Sequence, residues 1–293
     1  MSPFPGFTAG LRALALACTF ALALAGCSWL PDVKDETANW SADRLYQEAH
    51  GAMVQGNYIR ATKLFDQLEA RYPYGRYAQQ AILESAYANW RGNETAAAIA
   101  GADRFIRTYP NHPNVDYAYY LKGLVHFRED QGILGYVYEL DLSERDPKEM
   151  RASFAAFKEL TSRFPESQYY QDSIARMRYL TNAMALYEVK TANYYFERGA
   201  YVAALNRAQG ALVNYPQTPA NERALAILRN SYEKLSMPQL AEDSQQILAK
   251  TFPESRYVSG APDKPWWQFW QKPDFGVQAT GQLADKPWWQ FWD

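Results

Sequence analysis

Chemistry in a protein needs a nucleophile, a proton carrier or a set of metal ligands held close together. This chain offers two thiols, Cys18 and Cys27, and three imidazoles, His50, His112 and His126. The histidines are scattered, so a His-based metal site has little support. No Gly-rich phosphate loop, no H-E-x-x-H and no G-x-S-x-G occurs. The carboxylates are spread through the chain in the manner of solvated faces. The expectation is therefore no catalytic residue, no metal and no cofactor. One thiol stands out by its setting. Cys27 closes the stretch "LALAGC", where an apolar run gives way to a polar, proline-interrupted one. Its role decides where the protein resides.

The segment that positions Cys27 comes first. Arg12 is the only charge in the first 31 residues, and it precedes an apolar run from Ala13 to Ala25. A basic start, a short apolar core and small residues at a boundary make a secretory signal. That run of 13 residues is short of the ~20 a spanning helix needs. The tetrapeptide Leu24-Ala25-Gly26-Cys27 resembles the lipobox of bacterial lipoproteins. The resemblance implies removal of residues 1–26 and a lipidated Cys27, acylated on its amino group and carrying diacylglycerol on its sulfur. Each buried methylene then adds about 0.8 kcal/mol to membrane binding, and two or more chains anchor stably. Ser28 follows the cysteine in place of Asp, which by the same resemblance favours the outer membrane. The mature chain would hold no second cysteine, so its stability rests on packing. Residues 27–40 read as a tether.

The body must be explained by packing. Hydrophobic residues make up 48% of the chain, enough for a sizeable core, and the net charge of −2 argues against a nucleic-acid partner. An aromatic-proline pair recurs at Tyr72-Pro73, Tyr109-Pro110, Phe164-Pro165, Tyr215-Pro216 and Phe252-Pro253. Four residues before each aromatic stands Leu68, Phe105, Leu160, Ala211 or Leu248, a spacing that puts both on one helical face. Proline then stops each helix. The sequence resembles the tetratricopeptide repeat, a helix–turn–helix unit of 34 residues ending in Pro. Gly56, Tyr58, Ala61 and Phe65 match it in the first repeat; Tyr195, Gly199, Tyr201 and Ala204 in the fourth. Ala86 and Ala98 fit in the second, which lacks the turn Gly, and Tyr232 and Ala241 in the fifth. The third keeps only Phe157 and its Pro165. Small alanines let helices approach, and aromatics fill the space opposite.

The expected fold is an all-α solenoid of about five helix pairs over 41–257, with repeats near 42–75, 79–112, 116–167, 168–218 and 219–255. Residues 129–146, with Gly132 and Gly135, read as a loop inserted in the third repeat, either functional or a lid over the solenoid's apolar surface. Gln168 to Arg198 holds no Pro or Gly and reads as one long helix.

Four stretches are more specific than the repeat consensus. They are Pro73–Trp90, Tyr109–Leu124, Glu144–Tyr169, and "YYFERGAYVAALNRAQGALVNYPQTP" from Tyr194 to Pro219. They resemble the BamD family, lipoproteins of the outer-membrane β-barrel assembly machinery, over about Tyr46 to Tyr257. The resemblance implies a periplasmic scaffold, not an enzyme, lipid-anchored to the outer membrane. Its implied partners are the barrel protein BamA, bound through POTRA domains, the other Bam lipoproteins, and unfolded β-barrel proteins. The family's C-terminal repeats make the POTRA contact, which by resemblance falls on Arg207, Asn206 and Arg198. Arg207 is the expected contact to a carboxylate, since a guanidinium is planar and rich in donors; Arg198, beside the turn Gly, suits a structural role. The family's N-terminal repeats form a substrate groove, for which Tyr72, Tyr74 and Tyr77 supply aromatics at an exposed turn. The runner-up is a periplasmic adaptor for murein enzymes.

The tail, 258–293, departs from the family. It carries "DKPWWQFW" twice, at Asp263–Trp270 and Asp285–Trp292. Six of the nine Trp sit there: Trp266, Trp267, Trp270, Trp288, Trp289 and Trp292. A short apolar motif repeated on a polar linker has the form of a bivalent docking element, for a membrane surface or a partner groove. A duplication without a role is the third reading.

Overall fold

The computed structural model describes residues 36–127 and 147–259. Among them are eleven helices and no strand. Five antiparallel pairs follow one another: α1 (Ala42–Val54) with α2 (Tyr58–Arg71), α3 (Arg76–Arg91) with α4 (Thr95–Thr108), α5 (Val115–Phe127) with α6 (Pro147–Arg163), α7 (Tyr170–Glu197) with α8 (Tyr201–Asn214), and α9 (Ala220–Lys234) with α10 (Pro238–Thr251). A single turn, α11 (Arg256–Ser259), closes the series. Each helix packs on the next, and the first helices of successive repeats also touch, α1 on α3, α3 on α5 and α7 on α9. This is the tetratricopeptide solenoid expected from the sequence. Residues 36–41 form a turn belonging to a separate unit, in which the Trp40 N–H bonds the Thr37 carbonyl at 3.0 Å.

The aromatic-proline pairs end all five second helices in one way. Tyr72, Tyr109, Phe164 and Phe252 each donate their N–H to the carbonyl four residues back at 2.8 Å, and Tyr215 does so at 3.0 Å. The accepting residues, Leu68, Phe105, Leu160, Ala211 and Leu248, are fully buried. The backbone at Tyr72 (φ −128°, ψ 63°) recurs within a few degrees at Tyr109, Tyr215 and Phe252. Proline at the following position is what forbids another helical turn.

The turns inside the repeats also share one geometry. Gly56, Asn93, Gly199 and Ser236 all adopt left-handed φ, between 58° and 77°. The N–H of the next residue then reaches the carbonyl five residues before it, as in Asn57 to Ala52 and Ala200 to Tyr195. That pairing satisfies carbonyls orphaned at the helix end. The second repeat lacks Gly at this position but not the conformation, which Asn93 supplies. One turn beyond, Ala61, Ala98, Ala204 and Ala241 are buried where paired helices approach. Their counterpart in the third repeat is Ser153, whose hydroxyl donates to the Gly123 carbonyl at 2.9 Å. Gly123 has no room for a side chain, because an added Cβ would sit 2.4 Å from Phe157.

Candidate interaction surfaces

At the end of the first repeat, Pro73 stops α2 and Gly75, at φ 103°, opens α3. The three tyrosines of this turn have different environments. Tyr74 is 92% exposed and Tyr72 37%. Tyr77 instead donates its hydroxyl to Asp43 Oδ1 at 2.7 Å, accepts from Arg76 at 3.0 Å, and packs its ring on Tyr46 at 5.2 Å. Tyr46 in turn donates to Glu84 Oε1 at 2.7 Å, and His50 Nδ1 lies 3.0 Å from Glu84 Oε2. Glu84 is fully buried, and burial together with its charge pushes the Tyr46 phenol far above its ordinary value. Tyr46 therefore stays a hydrogen-bond donor, and the ladder from Asp43 to Glu84 ties α1 to α3. Of the three residues, Tyr74 presents a ring to solvent while Tyr77 is built into the repeat.

Beside this turn lies a cleft of about 430 Å³ lined by Asp66, Glu69, Pro73, Ile82, Arg104 and Tyr109, among others. Arg104 forks onto both Glu69 oxygens, at 2.5 and 2.7 Å. Partial burial and the Glu69 charge raise the Asp66 carboxyl, with Arg104 opposing them. The cleft thus sets the apolar side chains of Pro73 and Ile82 beside the Arg104–Glu69 ion pair.

The second surface is at the junction of α7 and α8. Gly199 turns the chain at φ 76°. Arg198 lays its guanidinium over the Tyr194 ring, 4.4 Å from its centre. Arg207 donates Nη1 to Glu188 at 3.0 Å. The arginine side chain is 45% exposed and the glutamate 12%, so a largely buried carboxylate holds a half-exposed cation. That hydrogen bond and charge raise the Arg207 pKa further above its ordinary value. Asn206 is exposed next to it, in a stripe with Val202 and Val213, which are 59% and 71% exposed. Arg207 and Asn206 thus share the outer side of α8, while Arg198 serves the turn. A tethered guanidinium beside exposed valines suits a protein carboxylate in an apolar setting.

Sequence reasoning missed the charges inside. Glu84 and Glu188 look like any helical glutamate. Asp172 accepts from Tyr120 at 2.7 Å and from Arg176 at 2.6 Å, and all three are buried, tying α5 to α7. The i, i+4 spacing of Asp172 and Arg176 was the available signal. Cys27, the 129–146 insertion and the six tail tryptophans lie outside the described residues. Among the described residues no cluster of candidate metal ligands occurs, and no helix is long and apolar enough to cross a membrane.

Comparison with known proteins places the chain. Residues 38–248 match the family model YfiO, described as an outer membrane lipoprotein. The chain is 43% identical over 266 residues to the outer membrane protein assembly factor BamD of Neisseria meningitidis serogroup A, covering 89% of this chain and all of that protein. It is 37% identical over 262 residues to BamD of Xylella fastidiosa strain Temecula1, covering 89% of this chain and 86% of that protein. BamD of Vibrio cholerae is 35% identical over 239 residues, covering 82% of this chain and 95% of that protein. With its helix pairs, its shared turn geometry and these relatives in agreement, the chain belongs to the YfiO/BamD family of outer membrane lipoproteins, the outer membrane protein assembly factors.

Proposed function

We propose that this protein is a non-catalytic scaffold of the outer-membrane β-barrel assembly complex. It is held by lipid on Cys27 at the periplasmic face of the outer membrane. It binds the POTRA domains of BamA, works beside the other Bam lipoproteins, and helps deliver unfolded barrel proteins for insertion. The family relationship supports the general role. The observation that carries the partner contact is Arg207, a half-exposed guanidinium held at one nitrogen by Glu188. One Nη1 hydrogen is committed to the scaffold, and the remaining donors of the five-donor guanidinium are the ones proposed for a POTRA carboxylate. Asn206, Val202 and Val213 border that contact. Tyr72, Tyr74 and Tyr77 mark the edge of the substrate groove, with Tyr74 the ring that meets substrate.

The test is binding of the purified chain to a BamA POTRA fragment. Arg207→Ala should weaken it about tenfold or more, equivalent to ~1.4 kcal/mol, with helix content unchanged. Unaltered binding would remove Arg207 from the contact. For the groove, Tyr74→Ala should lower crosslinking to unfolded barrel peptides; unchanged crosslinking would exclude it.

A further inference from the structure

The cleft between the first two repeats has a counterpart between the last two. Ala61, Ala98, Ala204 and Ala241 hold equal places in their helices, as does Ser153 in the third repeat. Counting from them, Asp66, Glu69 and Ala70 of α2 correspond to Gln209, Leu212 and Val213 of α8. Arg104 of α4 corresponds to Ile247 of α10, and Pro73 and Tyr109 correspond to Pro216 and Phe252. Positions that carry an ion pair on α2 and α4 are therefore uncharged on α8 and α10. The two junctions between keep charge there, Asp103 and Glu159 at one and Lys158 at the other. Val213 and Ile247 are 71% and 52% exposed. Leu212 and Phe252 are half-buried against the core of the last two repeats. The result is an apolar strip on the outer side of α8 and α10.

The described chain ends beside this strip, and its end is pinned. Ser255 Oγ donates to Glu222 Oε1 at 2.6 Å, and Arg229 Nη1 donates to the Tyr257 carbonyl at 3.2 Å. Tyr257 and Val258 pack on the same core cluster as Leu212 and Phe252. The chain then continues as residues 260–293, which lie outside the described part. Their first apolar segment, Pro265–Trp270, has three Trp, one Phe and no charge. Trp266 follows Ser259 by seven residues, at most about 25 Å of extended chain, whereas a helix is only about 10 Å across. We propose that the segment 265–270 docks in cis on the α8–α10 strip, its tryptophans covering Leu212, Val213 and Ile247. The chemistry matches, since an uncharged aromatic segment meets the junction that carries no charge at these positions. Each ring covers roughly 150–250 Å² when buried. The last repeat has no following helix pair to cover it, only the single turn α11, and helical arrays need a cap at their ends.

The test uses the chain from residue 27 onward with Cys27→Ala, which holds no cysteine. Gln209→Cys, exposed at the edge of the strip, and Gln268→Cys, between Trp267 and Phe269, are introduced together. Under mild oxidation they should close an intramolecular disulfide, seen as a faster-migrating monomer on a non-reducing gel. Changing Trp266, Trp267 and Trp270 to Ala should slow closure about tenfold or more, because the segment then reaches the strip only by its tethered effective concentration. Ile247→Asp should slow it likewise. Changing Trp288, Trp289 and Trp292 to Ala should leave it unchanged, and the helix signal should be retained throughout. Equal closure with and without the first three tryptophans overturns the proposal, since proximity alone would explain it. Disulfide-linked dimers in place of closed monomers would give the strip to a second copy and also overturn it. So would a POTRA fragment that needs Ile247 for binding while closure ignores Ile247→Asp. The Arg207 contact is measured separately, and neither result decides the other.

Discussion

Arg207 shows how a neighbouring carboxylate holds a surface cation. A free arginine samples many rotamers, and ordering it on binding costs about 0.5–1.5 kcal/mol. Glu188 has already restricted it, because its carboxylate is nearly buried and bonds Nη1. Glu188→Gln should therefore reduce POTRA affinity less than Arg207→Ala, by about threefold, with the fold unchanged. His112 supplies a pH test. Burial lowers its pKa from 6.5, its Nδ1 accepts the Asn114 N–H at 3.1 Å, and its ring packs edge-on against Phe105. The folded state thus prefers the neutral ring, and the unfolded chain binds the proton more readily. Stability from this residue is present above about pH 6.5 and is lost as pH falls through the lower folded value. The urea midpoint should fall between pH 7 and pH 5, and His112→Gln should show less of that fall. The arginine was identifiable in the sequence as a candidate contact, from the family resemblance of its helix. Its glutamate was not, because a partner 19 residues away on another helix leaves no local pattern. Tyr77 was legible as an aromatic at a turn, but its bond to Asp43, 34 residues away, makes it part of the scaffold.

At the scale of helices and turns, most of the fold could be read directly. Proline cannot continue a helix, so five aromatic-proline pairs marked five helix ends. The left-handed turn was legible where Gly occupies it and hidden where Asn93 or Ser236 does, since those residues adopt that conformation at a cost. Gly199→Ala should destabilise by about 1 kcal/mol, purely through the backbone, because an added Cβ there meets nothing within 4 Å. Ser236→Gly should be neutral or stabilising in the same denaturation series. Gly123→Ala is the contrasting case, since its Cβ would collide with the buried Phe157 ring. A loss of about 1–3 kcal/mol is expected there from overpacking. The third repeat resisted the consensus for this reason: Gly123 and Ser153 replace the usual fit with a ring against bare backbone and a buried hydroxyl bond.

Across the whole molecule, the described part of the chain is a series of five helix pairs. Helical repeats suit a scaffold because each unit stabilises its neighbours, which leaves outer faces for binding. The helix pairs were readable from periodicity, whereas the outer surfaces depend on side chains from different helices, as Arg207 on Glu188 does. Cys27→Ala should move the protein from the membrane to the soluble periplasmic fraction. The most direct measurement of the central claim is affinity purification of the tagged full-length chain from solubilised outer membranes. BamA should co-purify with the wild type and be reduced by Arg207→Ala. Recovery of murein hydrolases without BamA would contradict the assignment to barrel assembly.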